Sequence, residues 1–103
     1  MSQFSYKLTT ESENFSFDFN PILNTGETLV SGTCTSVTQQ GTDTNPTAIL
    51  SGSPVFSLGK ATQRVVGGLD ENTYRLIMTV TTSSGNIFTA TGDIPVYAPT
   101  SIS

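Results

Sequence analysis

Apolar side chains recur at every second position over much of this chain. Phe15, Phe17 and Phe19 alternate with Ser16 and Asp18. A spacing of two turns alternate side chains to opposite faces of a strand, so three rings point inward and the polar residues meet water. Phe4, Tyr6 and Leu8 alternate with Ser5 and Lys7 in the same way. They predict a strand near the N-terminus with its aromatic face packed. Residues 28–38 predict a longer strand, with Leu29, Ser31, Thr33, Thr35 and Val37 on one face and Val30, Gly32, Cys34 and Ser36 on the other. Short strands follow at 48–50, 55–58 and 62–66. The clearest pattern lies at 73–82, where Tyr74, Leu76, Met78 and Val80 share one face. Ser83-Ser84-Gly85-Asn86 predicts a hairpin connection, and residues 87–96 return with Phe88, Ala90, Ile94 and Val96 inward.

Turn-forming residues separate these segments. Asn20-Pro21 to Gly26 predicts a corner with Leu23 folded back on the core. Residues 41–46 predict a loop, 51–54 a turn, and 67–72 another turn. Pro54 argues for an edge strand. Residues 98–103 are expected to form a flexible tail. Seven to eight short strands in 103 residues predict an all-β fold, an immunoglobulin-like antiparallel β-sandwich. One domain over 1–103 is expected, with residues 1–10 an added strand or arm. Phe15, Phe17 and Phe19 are its expected structural rings.

Composition agrees. Ser and Thr supply 31 of the 103 residues, and threonine favours strands while serine favours turns. Four basic residues, Lys7, Lys60, Arg64 and Arg75, are scattered among eight acidic ones, for a net charge of −4. Nucleic-acid binding needs a clustered basic footprint, so that class is set aside. Cys34 is alone, so no intramolecular disulfide forms. A small buried apolar role suits it, with an interchain bridge as the alternative. The first seven residues lack a basic stretch followed by an apolar one, so no signal peptide is expected. No segment reaches the length of a membrane helix.

Candidate chemistry is sparse. Tyr74 lies just inside a late strand, after a turn containing Leu69. That is the placement of a tyrosine corner, in which the hydroxyl bonds upstream backbone and pins the crossover between sheets. Glu11, Glu13, Asp18, Asp70 and Glu71 are acidic, but no pattern brings two of them into one cleft for acid–base work. With no His and one Cys, the usual zinc and copper sites are absent. Asp43-Thr44-Asn45 and Asp70-Glu71-Asn72 lack the spacing of a known calcium loop. The absence of His also removes Ser–His and Cys–His pairs. A sugar-binding module would present exposed rings, and the chain has no Trp and three Tyr.

The ordered set Phe17-Asp18-Phe19, Gly26-Glu27-Thr28-Leu29, Val65-Val66-Gly67-Gly68, Thr73-Tyr74 and Thr81-Thr82-Ser83-Ser84-Gly85 resembles small immunoglobulin-like virion proteins of tailed phages, of the fibre–tail adaptor or head–tail type. The resemblance runs from about Glu11 to Val96. Phe19 stands where that family usually has Trp, and the Phe4–Leu8 strand looks added before the shared region. The resemblance implies a non-enzymatic structural subunit of a phage virion, made in the host cytoplasm and present in several copies. Its expected place is the tail, neck or baseplate, joining tail and fibres. Its partners would be other virion proteins, with no cofactor, metal, nucleic acid or membrane. A capsid decoration protein and a glycan-binding module are the alternatives. Phe4, Tyr6, Leu8 and Tyr97, with the 98–103 tail, are the candidate partner contacts.

Overall fold

The three-ring segment forms one edge of a three-stranded sheet in the computed structural model, which describes residues 2–3 and 6–100, with side chains from Tyr6 onward. The strands are β1 (Ser2–Gln3), β2 (Lys7–Leu8), β3 (Ser12–Asp18), β4 (Leu29–Gln40), β5 (Leu50–Ser57), β6 (Lys60–Val66), β7 (Asn72–Thr82) and β8 (Ile87–Tyr97). One sheet has the order β3-β6-β5. The other runs β8-β7-β4, and β1 and β2 both join the far edge of β8 in parallel. All other pairings are antiparallel. This is an immunoglobulin-like arrangement, with the N-terminal segment carried on the second sheet.

The core lies between the sheets. Tyr74, Leu76, Met78 and Val80 of β7 are fully buried, as are Ile94 and Val96 of β8. They face Phe15, Phe17, Phe19, Ala61 and Val65. Leu23 packs against this cluster from the 20–26 corner, which opens with a short 3-10 turn over Asn20–Ile22.

Several segments depart from the simple alternation. A bulge between Leu29 and Ser31 breaks the β4 register. One extra residue shifts side chains to the other face. Leu29 pairs with buried Thr82 and packs on the core beside the Gly32, Cys34 and Ser36 face, whereas Val30 is exposed. Residues 46–49 form a 3-10 turn with Pro46 in its first turn, so of the expected 48–50 strand only Leu50 is extended, as the first residue of β5. Residues 51–54 do not leave the sheet. They form an irregular part of β5 between Ser51 and Val55, on an edge strand that pairs only with β6. The buried Gln63 amide donates there to the carbonyls of Ser51, Gly52 and Arg64. A side chain thus supplies what the interrupted ladder cannot.

Ala98 is also held, its N–H donating to Asp70 Oδ1 at 2.8 Å. The start of the expected tail is therefore anchored, and its last three residues lie outside the described ones. Phe4 lies outside them as well.

One inward hydroxyl of β4 is anomalous. Ser36 Oγ is buried and has no hydrogen-bond partner among the described residues. A buried hydroxyl without a partner costs desolvation and returns nothing. Ser36→Ala is therefore expected to raise stability by up to about 1 kcal/mol, or leave it unchanged. A urea titration checks this: the midpoint holds or rises while the slope stays constant.

Candidate interaction surface at the N-terminal edge

The segment before β3 lies on the sheet with its faces reversed from the expected order. Lys7 pairs with inward-facing Val96 and is completely buried, while Tyr6 is 53 % exposed. Leu8 pairs with Tyr97, and both are half-buried. The reversal follows from where the Lys7 side chain ends. Its ammonium donates to Gly67 O at 2.6 Å and to Leu8 O at 2.8 Å. Those carbonyls replace water around the charge, which is the condition for burying an ammonium. Burial pushes the Lys7 pKa down, and the nearby Glu11 and Glu13 carboxylates act against that shift. Glu11 Oε1 also accepts the Leu8 N–H, and Thr9 N–H donates to Tyr97 O.

With Lys7 turned inward, Tyr6, Leu8 and Tyr97 gather on the outside. The Tyr6 and Tyr97 rings meet edge to face, with centroids 6.0 Å apart and planes at 68°. Three of the four candidate contact residues thus share one patch. On the same face of the sheet, Arg75 Nε donates to Asp93 Oδ1 at 2.8 Å, a partly buried ion pair. Arg75 and Asp93 are cross-strand neighbours in β7 and β8.

The corner is built around Tyr74. Its hydroxyl accepts the Leu69 N–H at 2.8 Å and donates to Asp43 Oδ2 at 2.6 Å. Burial first, and the bond to Asp43 second, push the phenol up to about 12. Asn72 reinforces the joint. Its Oδ1 accepts the N–H groups of Thr42 and Asp43, and its Nδ2 donates to Asp70 O. Asp43 Oδ1 takes the Asn45 N–H. A cleft of about 310 Å³ opens beside this joint, lined by Asp43, Asn45, Ile49, Gly67 and Leu69. Both Asp43 oxygens already accept bonds, so the carboxylate serves the loop.

At the opposite end of β7, Glu27 plays a similar part. Its buried carboxylate accepts from Asn24 N at 2.9 Å, from Asn86 Nδ2 at 2.9 Å and from the Thr82 hydroxyl. The Asn24 amide, then the Thr82 and Asn86 donors, hold its pKa below the ordinary carboxylate value. This ties the 24–27 turn to the β7–β8 hairpin. A group with a lowered folded pKa contributes stability above its unfolded pKa, and that contribution is lost as pH falls through the folded value. Wild type is therefore expected to melt above Glu27→Gln at neutral pH, and the gap should close on acidification below the unfolded carboxylate pKa. Melting curves from pH 7 to pH 2 check the sign.

Asp18 is exposed, and its Oδ1 accepts from the backbone and side-chain amides of Asn20. It caps a turn. Phe15, Phe17 and Phe19 are buried in the core. No cluster of three or more His, Cys, Asp or Glu with metal-binding geometry occurs among the described residues. A second cleft of about 460 Å³ lies on the outer face of the three-stranded sheet, lined by Asn14, Ser51, Ser53, Val55, Thr62 and Arg64.

The sequence assigned none of these structural roles: Lys7 counted as a scattered cation, Glu27 as part of the Gly26–Leu29 motif, and Asn72 as part of a triplet without calcium-loop spacing. Glu27 follows the Asn24-Thr25-Gly26 turn, and an acid closing such a turn was the one local sign available. The partners of Lys7 and Asn72 lie as many as 60 residues away in the chain.

Fold and polar interior together define an immunoglobulin-like structural domain whose buried polar groups join strands and loops. The chain belongs to the family of the podophage GP4 fiber-tail adaptor protein gp77, whose sequence profile matches residues 7–95. The match begins at Lys7, so β2 lies inside the shared region and not in an addition before it. No curated protein matches the sequence significantly.

Proposed function

We propose that this protein is a subunit of a podophage virion that joins tail and fibre components by protein–protein contact, without catalysing a reaction. The family match over residues 7–95 carries this reading. The committed hydrogen bonds of Asp43, Tyr74 and Glu27 agree with it, because each serves a loop or a strand crossing. The contact surface is the patch of Tyr6, Leu8 and Tyr97, continued by the chain after Ala98. Paired tyrosines supply a large apolar area with polar tips and little rotamer entropy to lose, which suits an interface. The chain acts as a single domain in several copies per particle, among other tail, neck or fibre proteins.

The test is mass spectrometry of intact particles from lysed host cells, with a Tyr6→Ser/Tyr97→Ser variant beside wild type. The chain should be present at fixed stoichiometry in wild-type particles and depleted in the variant, while the purified variant melts close to wild type. Absence of wild type from particles would overturn the reading. A head-lattice copy number would move it to capsid decoration, and normal incorporation of the variant would remove the tyrosine patch from the interface.

A further inference from the structure

The four sheet edges of this sandwich are not equally protected. The outer edge of β8 is covered by β1 and β2. The β3 edge carries exposed Glu13 and Asp18. The β5 edge is broken by its irregularity at 51–55 and holds Pro54. Charges, proline and irregular register are the devices that keep an edge from pairing with another chain. The β4 edge has little of this protection. Leu29–Gln40 reads Leu-Val-Ser-Gly-Thr-Cys-Thr-Ser-Val-Thr-Gln-Gln, with no charge and no proline. Among the described residues it pairs with β7 on one side and with no strand on the other, although β5 and the 46–49 turn pack close to it. Between its two register shifts, Ser31 to Thr38 is regular. That is eight residues, or about 27 Å of ladder.

We propose that this edge pairs with the β4 edge of a second copy, antiparallel about a two-fold axis, to give one continuous sheet across a dimer. The inference deepens the multi-copy reading above and rests on it only for its place in the particle. Charge selects the occupant. Each copy carries −4, so self-association needs an edge where acids do not face acids. On β3, a two-fold axis would bring the acidic edges of both copies together. On β4 it brings Ser, Thr and Val of one copy against Ser, Thr and Val of the other. Threonine pairs across antiparallel strands are favourable. Ser31, Thr33, Thr35 and Val37 are all exposed on the outer face, and the inner positions Gly32, Cys34 and Ser36 are small. Small inner residues let the second strand approach without displacing its neighbours. An interface related by a two-fold axis also closes on itself, so pairing stops at two.

The experiment is light scattering on the purified full chain, wild type beside two charge variants at exposed outer positions. T33K/T35K sets lysines of one copy against lysines of the other, and T33E/T35E does the same with acids. Like charges opposite each other across strands repel. Wild type should have twice the 10.9 kDa mass of one chain, and each variant alone should have the single-chain mass. An equimolar mixture of the two variants should return to the double mass. Circular dichroism checks that both variants keep the fold. A monomeric wild type, a lysine variant that stays dimeric, or a mixture that fails to associate would each overturn the pairing. If wild type is monomeric but found in particles, edge pairing fails and the adaptor reading stands. If it is dimeric but absent from particles, the reverse holds.

Discussion

Gly32→Ala should lower the unfolding free energy by about 3 kcal/mol, at the upper end of ordinary overpacking. Gly32 lies on the inner face of β4, opposite Val80. A Cβ placed there would sit 2.5 Å from the Thr79 carbonyl oxygen and 3.0 Å from the Phe56 ring. The first neighbour is backbone in the middle of the β4–β7 ladder, so it cannot swing aside as a flexible side chain would. Either the strands separate locally or the ring moves out of the core, and both lose packing. Gly26→Ala is the control. Gly26 has a positive φ of 80° but nothing within 4 Å of an added Cβ. It therefore meets only the conformational penalty of a left-handed residue, about 1 kcal/mol. Thermal melts separate the two: for a domain near 100 residues, each kcal/mol shifts the midpoint by about 4 °C. Equal shifts would show that β4 and β7 have room to adjust.

Tyr74→Phe comes next, at about 2 kcal/mol. The substitution keeps the ring, which is fully buried, so no cavity is created. It removes one hydroxyl that accepts from Leu69 N and donates to Asp43 Oδ2. The cost is therefore that of two groups left without their partner, one of them charged. A double-mutant cycle with Asp43→Ala isolates the pair, and a coupling of about 1 kcal/mol is expected for two groups in direct contact. The pH dependence supplies a second signature. The phenol rises from 10.0 to about 12 in the folded protein. A raised folded pKa gives stability that is complete below the unfolded value and lost as pH climbs through the folded one. The advantage of wild type over Tyr74→Phe should hold at neutral pH and shrink between pH 10 and about 12. A gap unchanged over that window would mean the hydroxyl has no part in the corner.

These two residues differ in how visible they are beforehand. Tyr74 stands out locally, since a tyrosine just inside a strand after a Leu-bearing turn is a recognisable arrangement. Its backbone acceptor role toward Leu69 lies within five residues. The second bond, to Asp43, joins positions 31 residues apart and emerges only when the 41–46 loop folds over the corner. Gly32 carries no such mark. A glycine in a Thr-rich strand reads as a weak point, and only the approach of Thr79 and Phe56 makes it a requirement.

The same division runs through the whole protein. Period-2 alternation by itself determined the all-β class, the Phe15-Phe17-Phe19 face and the Tyr74-Leu76-Met78-Val80 face, because each strand there is long and its own side chains record which face is buried. Tertiary structure decided what alternation cannot record. Tyr6 and Leu8 read as the packed face, yet Lys7 is the buried residue, since two carbonyls at the end of the sandwich accept its ammonium. Leu29 reads as one face with Val37, yet a bulge sends it to the other. Glu27 reads only as one member of the Gly26–Leu29 motif, yet its partners at Thr82 and Asn86 lie 55 and 59 positions away. In each case the deciding contact is made by backbone or side chains distant in sequence. A local pattern of apolar and polar residues carries the free energy of burial. It does not carry the position of the hydrogen-bonding groups that make burial of a charge or a shift of register affordable.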